Sequence, residues 1–193
     1  MNKLLLISGP TASGKTALGF LMGKKLQGEI VSADSRQVYK GMDLVTGKEE
    51  DPVVKTWLID VVDPDDDFNV ATYYELAWKA IRDIWDRGKL PIVVGGTGFY
   101  IKALLDGIGT MGIPPNWKMR NEFSKLSIEE LAKILQKIDA KKWDVMNASD
   151  RKNPRRLIRA IEIANYIPAG EEKVIVAGDD SGLKLEELSS VVL

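Results

Sequence analysis

Gly9-Pro10-Thr11-Ala12-Ser13-Gly14-Lys15-Thr16 follows the apolar run Lys3-Leu4-Leu5-Leu6-Ile7-Ser8 and precedes Ala17-Leu18-Gly19-Phe20-Leu21-Met22. The first run reads as a buried strand and the second as the start of a helix. Strand, G-x-x-x-x-G-K-T and helix in that order form the context of a phosphate-binding loop. Glycines let the backbone curl so that its N–H groups converge on an anion, and the helix N-terminus adds partial positive charge. Residues Gly9 to Thr16 are therefore a candidate phosphate or nucleotide site. Lys15 reaches the terminal phosphates, and the Thr16 hydroxyl is a candidate Mg²⁺ ligand. The loop does not say which molecule carries the phosphates.

Outward from this loop the pattern repeats. A helix is expected over 14–27, and strands over 29–33, 56–62 and 90–94. Helices are expected over about 70–87, capped by Asn69, and 99–105. The strands are unbroken apolar runs, which points to a parallel sheet covered on both faces: an α/β, P-loop NTPase-like fold. The grammar changes after Gly107. A linker rich in Gly and Pro leads into a segment without strand candidates. There Ser127-Ile128-Glu129-Glu130 is a capping box, and Leu131, Ile134, Leu135 and Ile138 share a helix face. Pro154 fits the first turn of a helix reaching Tyr166. The expected organisation is an α/β core over 1–110, a small helical insertion over 111–150, to which the family resemblance described below assigns tRNA binding, and a return to the core over 151–193. That return contains a strand at 173–177 and a short amphipathic tail from Lys184.

Composition narrows the chemistry. The 193 residues contain no Cys and no His, so thiolate chemistry and the commonest general base are both excluded. Lys+Arg 27 against Asp+Glu 28 gives a net charge of −1, so any basic surface must be local. No apolar run approaches membrane-spanning length or the form of a signal peptide, and a soluble, cytoplasmic monomer with no membrane partner is expected.

Beyond the loop, three constellations stand out. Asp34 follows the second strand, on the sheet edge where open parallel sheets bind ligands. Asp34 is either a turn cap or a general base. The exposed polar cluster Ser35-Arg36-Gln37 beside it favours the base, because such a cluster has no use in a core. Asp60 closes the segment Thr56-Trp57-Leu58-Ile59-Asp60 and is either a water-mediated Mg²⁺ ligand or a strand-end turn residue. Arg151-Lys152-Asn153-Pro154-Arg155-Arg156-Leu157-Ile158-Arg159 holds five cations at a helix start, where they oppose the macrodipole. Fork-shaped guanidinium groups suit phosphate, and nucleic-acid backbone is the preferred ligand over a solvated face.

Taken together, four segments resemble the tRNA dimethylallyltransferase (tRNA isopentenyltransferase) family. They are Gly9 to Thr16, Ser32-Ala33-Asp34-Ser35-Arg36-Gln37-Val38-Tyr39 with Gly41-Met42-Asp43, Val94-Gly95-Gly96-Thr97-Gly98-Phe99-Tyr100, and Asn153 to Glu162. Leu58-Ile59-Asp60 with Asp63-Pro64 and Phe68 is similar to a further family signature. The resemblance implies transfer of a dimethylallyl group from dimethylallyl diphosphate to N6 of the adenosine 3′ of a tRNA anticodon. It implies that Gly9, Pro10, Thr11, Ala12, Ser13, Gly14, Lys15 and Thr16 hold the diphosphate, with Mg²⁺ on Thr16. Asp34 and Thr97 would be catalytic. Asp34, Ser35, Arg36, Gln37, Thr97, Arg120, Arg155, Arg156, Leu157, Ile158 and Arg159 would contact the tRNA anticodon stem-loop. Two departures accompany it. Lys55-Thr56-Trp57 stands where the family has a histidine, and the chain ends at Leu193, short of the family's length, which implies a C-terminal truncation. The rival readings are an ATP-dependent small-molecule kinase and an inactive remnant that binds tRNA or diphosphate.

Overall fold

The computed structural model describes residues 2–42, 47–166 and 189–192. Residues up to Gly107, with the strand at 189–192, form one compact unit, and a second unit begins at Ile108.

The first unit is built on five parallel strands: β1 (Leu5–Ser8), β2 (Gly28–Ser32), β3 (Thr56–Trp57), β4 (Leu90–Gly95) and β5 (Ser189–Val192), in the order β3-β2-β4-β1-β5. The β1 strand pairs with β4 from Leu5↔Ile92 to Ser8↔Gly95, and β4 pairs with β2 from Gly28↔Leu90 to Ser32↔Val94. Helix α1 (Lys15–Leu26) covers Ile7, Ile30, Ile92 and Val94 on one face. It lies close because it carries glycines: a Cβ at Gly19 would fall 2.8 Å from Val94 Cγ2, and one at Gly23 would fall 2.6 Å from Val54 Cγ1. Helices α2 (Val70–Asp86) and α3 (Gly98–Asp106) bury Tyr73, Ala77, Ile81, Tyr100 and Leu104 with Leu6, Val31 and Val93. Asn69 caps α2 as expected, its side chain accepting from Ala71 N at 2.9 Å and Thr72 N at 3.2 Å. This is the parallel α/β, P-loop NTPase-like architecture read from the sequence.

Two readings change. The third strand, expected over 56–62, stops at Trp57, because Leu58 (φ 65°) and Asp60 (φ 55°) adopt left-handed backbone that cannot continue a strand. Among the described residues, an isolated bridge, Tyr39↔Val62, continues the pairing. The strand expected at 173–177 lies outside the described residues, whereas part of the supposed amphipathic tail, Ser189–Val192, pairs parallel to β1.

The second unit is helical among its described residues: α4 (Trp117–Phe123), α5 (Ile128–Ile138), α6 (Ala140–Val145), α7 (Ala148–Arg151) and α8 (Pro154–Tyr166). The Ser127 capping box forms in full. Leu131 and Leu135 of α5 share one core with Met146 and with Leu157, Ile158, Ala160 and Ile161 of α8. The sequence reading returned residues 151 onward to the α/β core. Instead, α8 belongs to the helical unit, whose core is incomplete without its apolar face. Among the described residues, no helix is long and apolar enough to cross a membrane.

Candidate active site

The β1 strand turns into α1 through Gly9 to Thr16, with Gly14 in left-handed backbone (φ 80°) immediately before the helix. Lys15 Nζ folds back to donate to Pro10 O at 2.8 Å. The end of β4 lies against this loop, since a Cβ at Gly96 would sit 3.3 Å from Gly9 O and 3.7 Å from Lys15 Nζ. Thr11, Ala12, Gly14, Lys15 and Thr16 line one part of a cavity of about 330 Å³. Ser32, Asp34 and Gln37 line it from the end of β2, and Phe20, Ile30 and Ile59 supply apolar wall. Of the expected phosphate residues, Gly9, Pro10 and Ser13 are not among its lining. Ser13 Oγ is buried and, among the described residues, has no hydrogen-bond partner.

Asp34 is the turn cap of the first reading, and its place beside the cavity leaves the second open. Its Oδ1 accepts from Arg36 N at 2.9 Å, which closes a local turn, and the residue still lines the cavity. The segment is held from both sides. Ser32 Oγ donates to Gln37 Oε1 at 2.8 Å. Across the sheet edge, Ser35 N donates to Thr97 Oγ1 at 3.0 Å, and Thr97 N donates to Ala33 O at 3.1 Å. Only glycine fits at position 95, where a Cβ would come within 2.2 Å of Ala33 O. Thr97 therefore positions the Asp34 turn and is absent from the cavity lining, and Arg36 is exposed to solvent. Burial, with smaller contributions from Tyr39 and Asp34, pushes the neighbouring Tyr100 hydroxyl up to about 12.

Asp60 does not face this cavity. Its carboxylate pairs with Lys48, whose nearly buried ammonium also donates to Tyr39 O at 2.8 Å. The reading of Asp60 as a metal ligand is replaced by a clip joining the loop to the strand end. Nothing in the sequence marked Lys48 as its partner, because lysine in a charged loop reads as solvated.

In the helical unit the expected RNA-contacting arginines divide. Glu162, 3% exposed, accepts from Arg120 Nε and Nη2 at 2.9 and 2.8 Å, from Asn116 N at 2.6 Å, and from Arg159. Burial works to raise the Glu162 carboxyl, but these donors outweigh it and hold the group at about 2. Arg159 also donates to Thr110 O at 3.1 Å and Ile113 O at 3.0 Å, so it fastens the linker to α8. Leu157 and Ile158 are buried in the core and present no side chain to a ligand. Arg155 and Arg156 are exposed; Arg156 pairs with Asp150, while Arg155 shares a surface hollow with Ser149, Lys152 and Asn153. Residues 108–166 hold twelve Lys and Arg against seven Asp and Glu, a charge of +5, which leaves −6 on the rest of a chain whose net charge is −1.

The chain is similar to known proteins over most of its length. The tRNA dimethylallyltransferase 1 of Geotalea uraniireducens is 46% identical over 165 residues, covering 84% of this chain and 54% of that protein. The tRNA dimethylallyltransferase 2 of Syntrophotalea carbinolica is 44% identical over 178 residues, covering 91% and 59%. The crystal structure of the tRNA isopentenylpyrophosphate transferase from Bacillus halodurans is similar at 37% identity and a TM-score of 0.56, over 86% of this chain and 56% of that one. A eukaryotic dimethylallyltransferase acting on tRNA aligns with a TM-score of 0.75 at 27% identity, over 90% and 43%. The chain spans about half the length of the curated relatives it matches. Residues 37–177 match the IPP transferase family model, and the chain belongs to that family.

Proposed function

We propose that this chain carries the site for transfer of a dimethylallyl group from dimethylallyl diphosphate to N6 of the adenosine 3′ of a tRNA anticodon. The observation that carries this reading is one cavity walled by both a phosphate loop and a carboxylate, Lys15 and Thr16 with Asp34. The loop N–H groups and Lys15 hold the diphosphate and stabilise charge as it leaves. The adenine N6 attacks C1 of the dimethylallyl group, the C1–O bond breaks with its electron pair going to diphosphate, and the N6 proton passes to Asp34. The adenine reaches the cavity by leaving its stack. Thr97 fixes the Asp34 turn through Ser35. The basic helical unit, with Arg155 exposed on it, receives the tRNA backbone.

The site suits Mg²⁺. Thr16 lines the cavity, and among the described residues no group of three or more acidic or imidazole side chains could hold a metal ion. A single hydroxyl fits an ion that completes its shell with water and substrate phosphate. When bound, Mg²⁺ neutralises diphosphate charge. The test is incubation of this chain with radiolabelled dimethylallyl diphosphate and an unmodified anticodon stem-loop. Label on the adenosine next to the anticodon supports the reading. Label transfer from γ-labelled ATP to a small acceptor, with none from the prenyl donor, replaces it with a kinase.

A further inference from the structure

We infer that Trp117 is a fixed stacking platform for an unpaired RNA base, an inference that rests on the tRNA reading above. Trp117 is 57% exposed, an unusual state for the largest apolar side chain. Its ring is nevertheless held in place. The Arg120 guanidinium lies over it at 5.1 Å from the centroid, within cation–π range. Arg120 cannot swing away, because both of its bonds end on the buried Glu162 carboxylate, which Arg159 and Asn116 N also hold. A buried acid thus orients an arginine, and the arginine orients an indole that is more than half exposed. Phe99 and Tyr166 are also exposed, but neither has a cation over its ring among the described contacts.

The surroundings select the occupant. The ring stands on the segment 108–166, whose charge is +5, beside the exposed Lys118, so a polyanion is favoured over a neutral apolar segment. Single-stranded nucleic acid combines a backbone for such cations with bases that stack on aromatic side chains, and RNA loops present their bases unstacked. The occupant is therefore a loop base of the substrate RNA other than the adenosine that enters the cavity.

The test measures binding of an anticodon stem-loop hairpin to the full chain over a salt series. Trp117→Ala is expected to weaken binding about five- to 150-fold, the range of one lost base stack. The log–log salt slope should stay unchanged, because no phosphate contact is lost. Trp117→Phe should recover most of the affinity. Trp117→Leu, which keeps apolar cover over Arg120 without a π face, should not. Replacing loop nucleotides one at a time by abasic residues should then reveal one position whose loss weakens the wild type but not Trp117→Ala. Unchanged affinity in Trp117→Ala overturns the platform. So does a weakened variant with a shallower salt slope, or one with no abasic position coupled to it. A wild-type chain that binds no hairpin overturns the tRNA reading, and the platform with it.

Discussion

Ser35 N donates to Thr97 Oγ1 at 3.0 Å across a sequence separation of 62 residues. This bond joins the turn after β2 to the cap of α3, and it is the link that sets where Asp34 stands. Replacing Thr97 by Val keeps the shape and removes the acceptor, leaving a part-buried N–H unpaired at a cost of about 1–3 kcal/mol. Thr97→Val should lower the single-turnover rate by at least tenfold with little change in diphosphate affinity, and Thr97→Ser should restore it. Calorimetry with the diphosphate, alongside rapid quench, separates the two effects.

Lys15 donates to Pro10 O, within its own loop. Lys15→Ala should therefore leave the melting temperature nearly unchanged while weakening diphosphate binding, since a charge-assisted contact to phosphate is worth about 1.5–3 kcal/mol. Titration calorimetry that finds undiminished affinity would remove the phosphate loop from the account.

The arginines of α8 should part company by assay. Arg155→Ala is expected to leave the fold intact and lower the log–log salt slope of hairpin binding by about one. Arg159→Ala breaks the contacts to Glu162, Thr110 O and Ile113 O and should lower the melting temperature first. Thermal melts and salt-dependent binding on both variants check the division.

These differences show where the sequence was legible. The strand-to-helix turn at 9–16 could be read because its conformation is written in residue types: glycine at a φ of 80°, then Lys and Thr at a helix start. The capping box at Ser127 was legible for the same reason. Leu58 was not, because leucine rarely adopts left-handed backbone, and the run 57–62, apolar but for Asp60, reads as strand. Arg120 and Arg159 read as free cations because their shared partner, Glu162, is an ordinary helical residue until folding buries it. Leu157 and Ile158 entered the expected RNA surface as members of a motif, although their spacing to Ile161 already marked a core face.

Glu162 also sets an acid limit on stability. Its folded value of about 2 lies below the ordinary value of 4.5. The stability it contributes is thus fully present above about pH 4.5 and is lost as pH falls toward 2. Glu29, held at about 2 first by Arg87 and also by Lys89 and Trp57, fails in the same window. Glu162→Gln should lower stability at neutral pH, by up to about 3–5 kcal/mol for a broken buried pair. It should also flatten the fall in melting temperature on acidification. Calorimetric scans from neutral to acid pH check both; a variant whose acid profile parallels the wild type would contradict the assignment.

The central claim is that Asp34 takes the N6 proton in a cavity shared with the phosphate loop. The direct measurement is a single-turnover comparison of wild type and Asp34→Asn, with dimethylallyl diphosphate and stem-loop RNA both saturating. Asn keeps the turn bond to Arg36 N but cannot accept the proton. The account predicts that binding of both substrates holds while the transfer rate falls about 10²–10⁴-fold, the usual contribution of a general base. A variant that transfers within a few-fold of the wild-type rate would contradict it and leave Asp34 a turn residue.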